Sequence, residues 1–84
     1  GLLLEVKGSS AWPANDPPYT EDEILEFAEA RAQSVVDYLV SQGIDPARFI
    51  VTETLPPEDH RETDDPAIQA QDRYVEMTLV TTGR

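Results

Sequence analysis

The sequence predicts a two-layer α/β sandwich (α+β), with helices packed on one face of a small mixed sheet, and three observations predict it. Residues 21–42 repeat apolar side chains at helical spacing. Residues 73–81, "RYVEMTLVT", alternate with period two, placing Val75, Met77 and Leu79 on one side and Glu76 and Thr78 on the other. Two further short runs, 2–6 ("LLLEV") and 49–54 ("FIVTET"), are apolar or β-branched and end at Lys7-Gly8 and at Pro56-Pro57. The order is β-α-β-(α)-β, and short connections between such elements favour helices laid against a single sheet.

The long helix is the best marked element. Thr20 followed three residues on by Glu23 forms a capping box, and Glu21, Asp22 and Glu23 suit the positive end of the helix dipole. Gly43 is a good left-handed stop. On a helical wheel the apolar face comprises Ile24, Leu25, Phe27, Ala28, Ala32, Val35, Val36, Tyr38 and Leu39. Arg31 falls near the middle of that face, an awkward place for a side chain that cannot lose its charge. After the helix, Asp45 and Pro46 signal a single helical turn. Within the polar stretch 56–72, only "DPAIQAQ", capped by Asp65, is expected to be helical.

Eighty-four residues make one small domain, near the lower limit for a hydrophobic core without staples, and the absence of cysteine removes disulfides and thiolate metal sites. Six basic against seventeen acidic residues give a formal charge of −11, which makes nucleic acid and anionic lipid poor partners. No apolar run approaches membrane-spanning length, so this segment is not expected to insert into a membrane. Catalysis is not expected either: there is no cysteine, the one histidine is in a loop, and Ser9 and Ser10 have no evident base. Nothing in the chain calls for a cofactor or a metal, since His60 has no second histidine at ligand spacing. His60 reads as a solvated loop residue.

The segment "ARAQSVVDYLVSQGIDPAR", followed after a polar loop by "DRYVEMTLV", resembles the OmpA-like C-terminal domain of bacterial envelope proteins, a family that includes OmpA, the lipoprotein Pal and the flagellar stator protein MotB. The likeness spans the chain from Gly8 to Leu79, and "GIDPAR" with the long preceding loop is most similar to the MotB branch. It implies one domain over residues 1–84, part of a longer, membrane-anchored protein of the periplasm and cell envelope. It implies peptidoglycan as partner, clasped at the diaminopimelate of the stem peptide. Arg31 falls on the family's binding arginine, and the same likeness points to Arg73, Asp72 and Ser10 as further ligand contacts.

Several positions depart from the family pattern. "GHTD", whose aspartate grips the ligand, corresponds to Gly8-Ser9-Ser10-Ala11; "NRRVE" corresponds to Asp72-Arg73-Tyr74-Val75-Glu76. The asparagine and "LS" ahead of the arginine become Ile24, Phe27 and Ala28, and "GYGE" becomes Glu53-Thr54-Leu55-Pro56. The family's first strand and helix have no counterpart. That predicts an open sheet edge and an uncovered apolar face, hence a homodimer or a second envelope protein as partner.

Alternatives accompany each residue. Arg31 has a structural use as an ion pair, for example with Asp72, or as a side chain that snorkels past the core. Arg73 is placed either on a ligand or along the sheet edge with Glu76 or Glu5. Asp16, in the loop before the helix, reads as a turn residue before Pro17, although it could replace the missing carboxylate. Trp12 and Tyr19 serve either to anchor that loop or to stack on sugar rings. Residues 9–19 as a whole are expected to be the most mobile part of the chain.

Overall fold

The computed structural model describes residues 2–81. Its elements are β1 (Leu2–Ser9), β2 (Trp12–Pro13), α1 (Glu21–Ser41), a single 3₁₀ turn (Pro46–Arg48), β3 (Phe49–Thr54), a second 3₁₀ turn (Glu58–His60), β4 (Arg61–Thr63), α2 (Pro66–Asp72) and β5 (Tyr74–Thr81). The main sheet has the order β3-β1-β5; β1 runs parallel to β3 and antiparallel to β5. The two-layer α/β arrangement is therefore present, with a mixed three-stranded sheet.

Local chemistry accounts for the boundaries of α1. The Glu23 amide donates to Thr20 Oγ1 at 3.2 Å, and the Thr20 amide donates to Glu23 Oε1 at 3.0 Å, so two otherwise orphaned donors are satisfied reciprocally. At the other end Gly43 adopts φ +102°, and the Gly43 and Ile44 amides return to the carbonyls of Val40 and Leu39. Asp65 caps α2 through the Ala67 amide at 2.9 Å, with Pro66 at its first position.

The buried line of α1 is narrower than the wheel predicts. Ile24, Ala28, Ala32 and Val36 are buried at four-residue spacing, while Phe27, Arg31 and Tyr38 lie exposed on its flank. The reason is a close approach. A Cβ on Gly8 would sit 1.9 Å from the Ala28 carbonyl oxygen and 3.1 Å from the Ala32 Cβ, so β1 and α1 touch backbone to backbone across three small residues. The helix settles on its smallest stripe, and Val6, Ala32 and Val36 form the core there, with Leu4, Val35, Val40, Phe49, Val51 and Val75 around them. Burying a side chain such as Val6 or Ile24 contributes about 1.5–3 kcal/mol.

Gly8 does not end β1 as the 2–6 reading supposes. The strand continues to Ser9, because Lys7, Gly8 and Ser9 pair with β3 on one side and β5 on the other. The loop that follows is not irregular throughout. Ser9, Ser10, Ala11 and Trp12 are buried, and β2 pairs in parallel with β4. A bulge there leaves Glu62 unpaired between Arg61 and Thr63, with φ +55°.

Val75, Met77 and Leu79 share the helix-facing side with their partners Gly8, Val6 and Leu4. However, α1 lies over β1 and β3, so Met77 is 54% exposed and Leu79 70% exposed. On the opposite face Thr52 donates to Glu5 at 2.9 Å, and Lys7 pairs with Glu76 at 3.6 Å.

Candidate functional site

Where α1 diverges from the start of β5, an open cleft of about 780 Å³ forms, lined on the helix by Phe27, Arg31 and Val35 and on the sheet side by Ser10, Arg73, Tyr74 and Val75. Each wall follows from the local fold. Residues 27, 31 and 35 are successive turns of the α1 flank that the close approach at Gly8 leaves uncovered. Tyr74 opens β5 opposite Ser9, which brings Ser10 and Arg73 to the same end of the sheet. Tyr19 packs edge-on against Phe27, centroids 5.7 Å apart, and so props the helical wall from the long loop.

Electrostatics set this cleft apart from the rest of the molecule. The chain has six basic residues, of which Arg84 lies outside the described part. Lys7 is paired with Glu76. Arg48 donates to the Leu2 carbonyl at 3.3 Å. Arg61 donates to the Pro56 carbonyl at 3.1 Å, approaches Glu21 at 4.0 Å and lies over the Trp12 ring at 5.2 Å. Arg73 donates only to the neutral Gln69 amide oxygen at 3.2 Å, and among the described residues neither Arg31 nor Arg73 pairs with a carboxylate. These two guanidiniums therefore share one cleft, and no acidic side chain lines it.

Three of the four residues that the sequence proposes as ligand contacts, Arg31, Arg73 and Ser10, come together here. Asp72 does not. It is 6% exposed and faces the other way, its carboxylate 3.0 Å from His60 Nδ1. The same contact corrects the reading of His60 as a solvated loop residue: its side chain is largely buried, because the turn Glu58–His60 folds back on the end of α2. It also removes the Arg31–Asp72 pair considered above. Arg73 pairs with neither Glu76 nor Glu5, whose partners are Lys7 and Thr52.

Trp12 is buried under Arg61, and its Nε1 has no hydrogen-bond partner among the described residues. With β2 and β4 it fixes the first part of the long loop beside the cleft. Asp16 is exposed and does not line the cleft. Sequence reasoning missed Phe27 and Tyr74 as walls. The signal for Phe27 was its place one turn before Arg31, which reads as core when the small-residue stripe is ignored.

No family model matches the chain, and no curated protein does. Among solved structures, the C-terminal domain of Helicobacter pylori MotB matches with a TM-score of 0.65 at 19% identity, over 95% of this chain and 58% of that one. The fold is that of a MotB C-terminal domain. This chain spans little more than half of that structure, so the MotB domain contains substantial parts that have no counterpart here.

Proposed function

We propose that this chain is a non-catalytic, peptidoglycan-associated OmpA-like domain of the bacterial envelope. It would act in the periplasm as part of a membrane-anchored protein. The observation that carries this reading is the cleft, which gathers two of the three guanidiniums that pair with no carboxylate among the described residues of a chain with net charge −11. A guanidinium presents a planar fork of donors that matches a carboxylate. The MotB-like fold supports the same reading.

Purified cell-wall sacculi provide the test. The chain should co-sediment with them, and Arg31→Ala should abolish co-sedimentation without unfolding the chain, since Arg31 is exposed and pairs with no carboxylate among the described residues. Binding that survives the substitution would show that Arg31 is not the anchor.

A second reading is favoured by one observation. Ala11, where the family pattern has its ligand-gripping aspartate, is buried, and no acidic residue replaces it in the cleft. On that reading the domain has lost the cell wall and serves as a structural or protein-interaction module. A second copy, or another envelope protein, would then pair along β5, whose outer edge has no partner strand among the described residues. Failure of the wild-type chain to co-sediment would select this reading.

A further inference from the structure

Resting on the cell-wall reading, we propose that the cleft selects a carboxylate that has no neighbouring ammonium: the free carboxyl terminus of a stem peptide, not a zwitterionic amino-acid end. The carboxylate lies between Arg31 and Arg73, and the side chain before it packs on Phe27, Val35 and Val75.

The cleft lacks one of the two complements that a zwitterion needs. A zwitterion brings a positive and a negative group into the same site, and each must exchange its water for a partner. For the negative group two guanidiniums are available. For the positive group the lining offers neutral oxygens only. The nearest acidic residue in sequence to Arg73, Asp72, is buried against His60 at 3.0 Å and cannot turn into the cleft without breaking that contact. An ammonium would therefore be drawn from water toward two cations with no carboxylate facing it, which is unfavourable. The cleft hydroxyls add to the bias. Ser10 donates its proton to the Ala11 carbonyl and Ser34 donates to the Ala30 carbonyl, both at 3.0 Å, so beside the Tyr74 hydroxyl the guanidiniums are the charged donors for a bound anion. Beside them the apolar lining asks for an uncharged neighbour.

Titration calorimetry on the whole chain with three probes tests this: N-acetyl-D-alanyl-D-alanine, its C-terminal amide, and diaminopimelate. The acid should bind, and the amide should bind at least about tenfold more weakly, as expected for losing hydrogen bonds to a charged group. Diaminopimelate should bind less tightly than the acid. Arg73→Gln should weaken the acid by a similar factor, whereas Lys7→Gln, on the opposite face and paired with Glu76, should leave it unchanged. Equal affinity for acid and amide, or tighter binding of diaminopimelate, overturns the inference. If the chain sediments with sacculi but ignores the acid, the cell-wall reading stands and the inference falls. If it binds the acid but not sacculi, carboxylate selection stands and the cell-wall reading falls. If it binds neither, both fall.

Discussion

Along β1 and β3 the helix approaches so closely that a single added carbon at Gly8 would collide with the Ala28 carbonyl, whereas along β5, one strand over, the same helix covers almost nothing. Both halves of the sheet are apolar on this face. They differ in what lies above them: small residues of α1 over Val6 and Gly8, and open space over Met77 and Leu79. Tight packing and open surface are thus segregated across one strand spacing. The covered half is intolerant of added volume, and the uncovered half leaves side chains such as Met77 and Leu79 exposed.

The largest expected effect attacks the covered half. Gly8→Ala should destabilise the fold by about 3 kcal/mol or more, since the new methyl group meets backbone, which cannot rotate away. Chemical denaturation measures it, and a midpoint shift worth less than about 1 kcal/mol would mean that α1 moves off the sheet more easily than this packing allows.

A smaller effect is expected at the His60–Asp72 contact, which ties the turn before β4 to the end of α2. His60→Ala leaves a buried carboxylate unpaired and should cost about 1–3 kcal/mol. Co-sedimentation with sacculi should persist in conditions where the variant remains folded, because neither residue lines the cleft. Lost binding in a folded variant would make this pair part of the site.

The smallest effect on stability belongs to the uncovered half. Leu79→Ser should change stability by less than about 0.5 kcal/mol, as for other exposed positions away from special features. It should, however, weaken any self-association through β5. Sedimentation velocity at rising salt reads this, because screening the −11 charge strengthens a dimer that apolar contact drives. A wild-type chain that stays monomeric in high salt, or a Leu79→Ser dimer as tight as wild type, removes β5 as the contact.

What could be read from the sequence was what is decided locally. The capping box at Thr20, the stop at Gly43, the turn after Asp45, the short helix after Asp65 and the strand at Phe49–Thr54 all appear as their residues suggest. What could not be read depends on distant partners. β2 and β4 are two and three residues long and exist only because each pairs with the other. Likewise nothing near His60 announces Asp72. Arg31 was misplaced for a different reason. A wheel weighted by hydrophobicity leans toward Phe27 and Tyr38, but the contact line is chosen by Ala28 and Ala32, whose smallness lets the helix descend. Of the candidate cleft, the family resemblance pointed to Arg31, Arg73 and Ser10, which share it, but also to Asp72, whose turn toward His60 could not be read.

The antiparallel pairing of β1 with β5 sets how the domain responds to force. Leu2 is opposite Thr81, and Ser9 is opposite Tyr74, so one end of the ladder holds both outer strand ends and the other adjoins the cleft. Tension between Leu2 and Thr81 opens the ladder like a zipper, one hydrogen bond at a time. Tension between Leu2 and a ligand gripped by Arg73 runs along the strands instead, and every bond between β1 and β5 shares the load. An optical trap that attaches first to the two strand ends, and then to Leu2 and a cleft ligand, should record a higher unfolding force in the second geometry; equal forces would refute this. A pull applied between the start of β1 and the cleft would load the sheet in its strong direction.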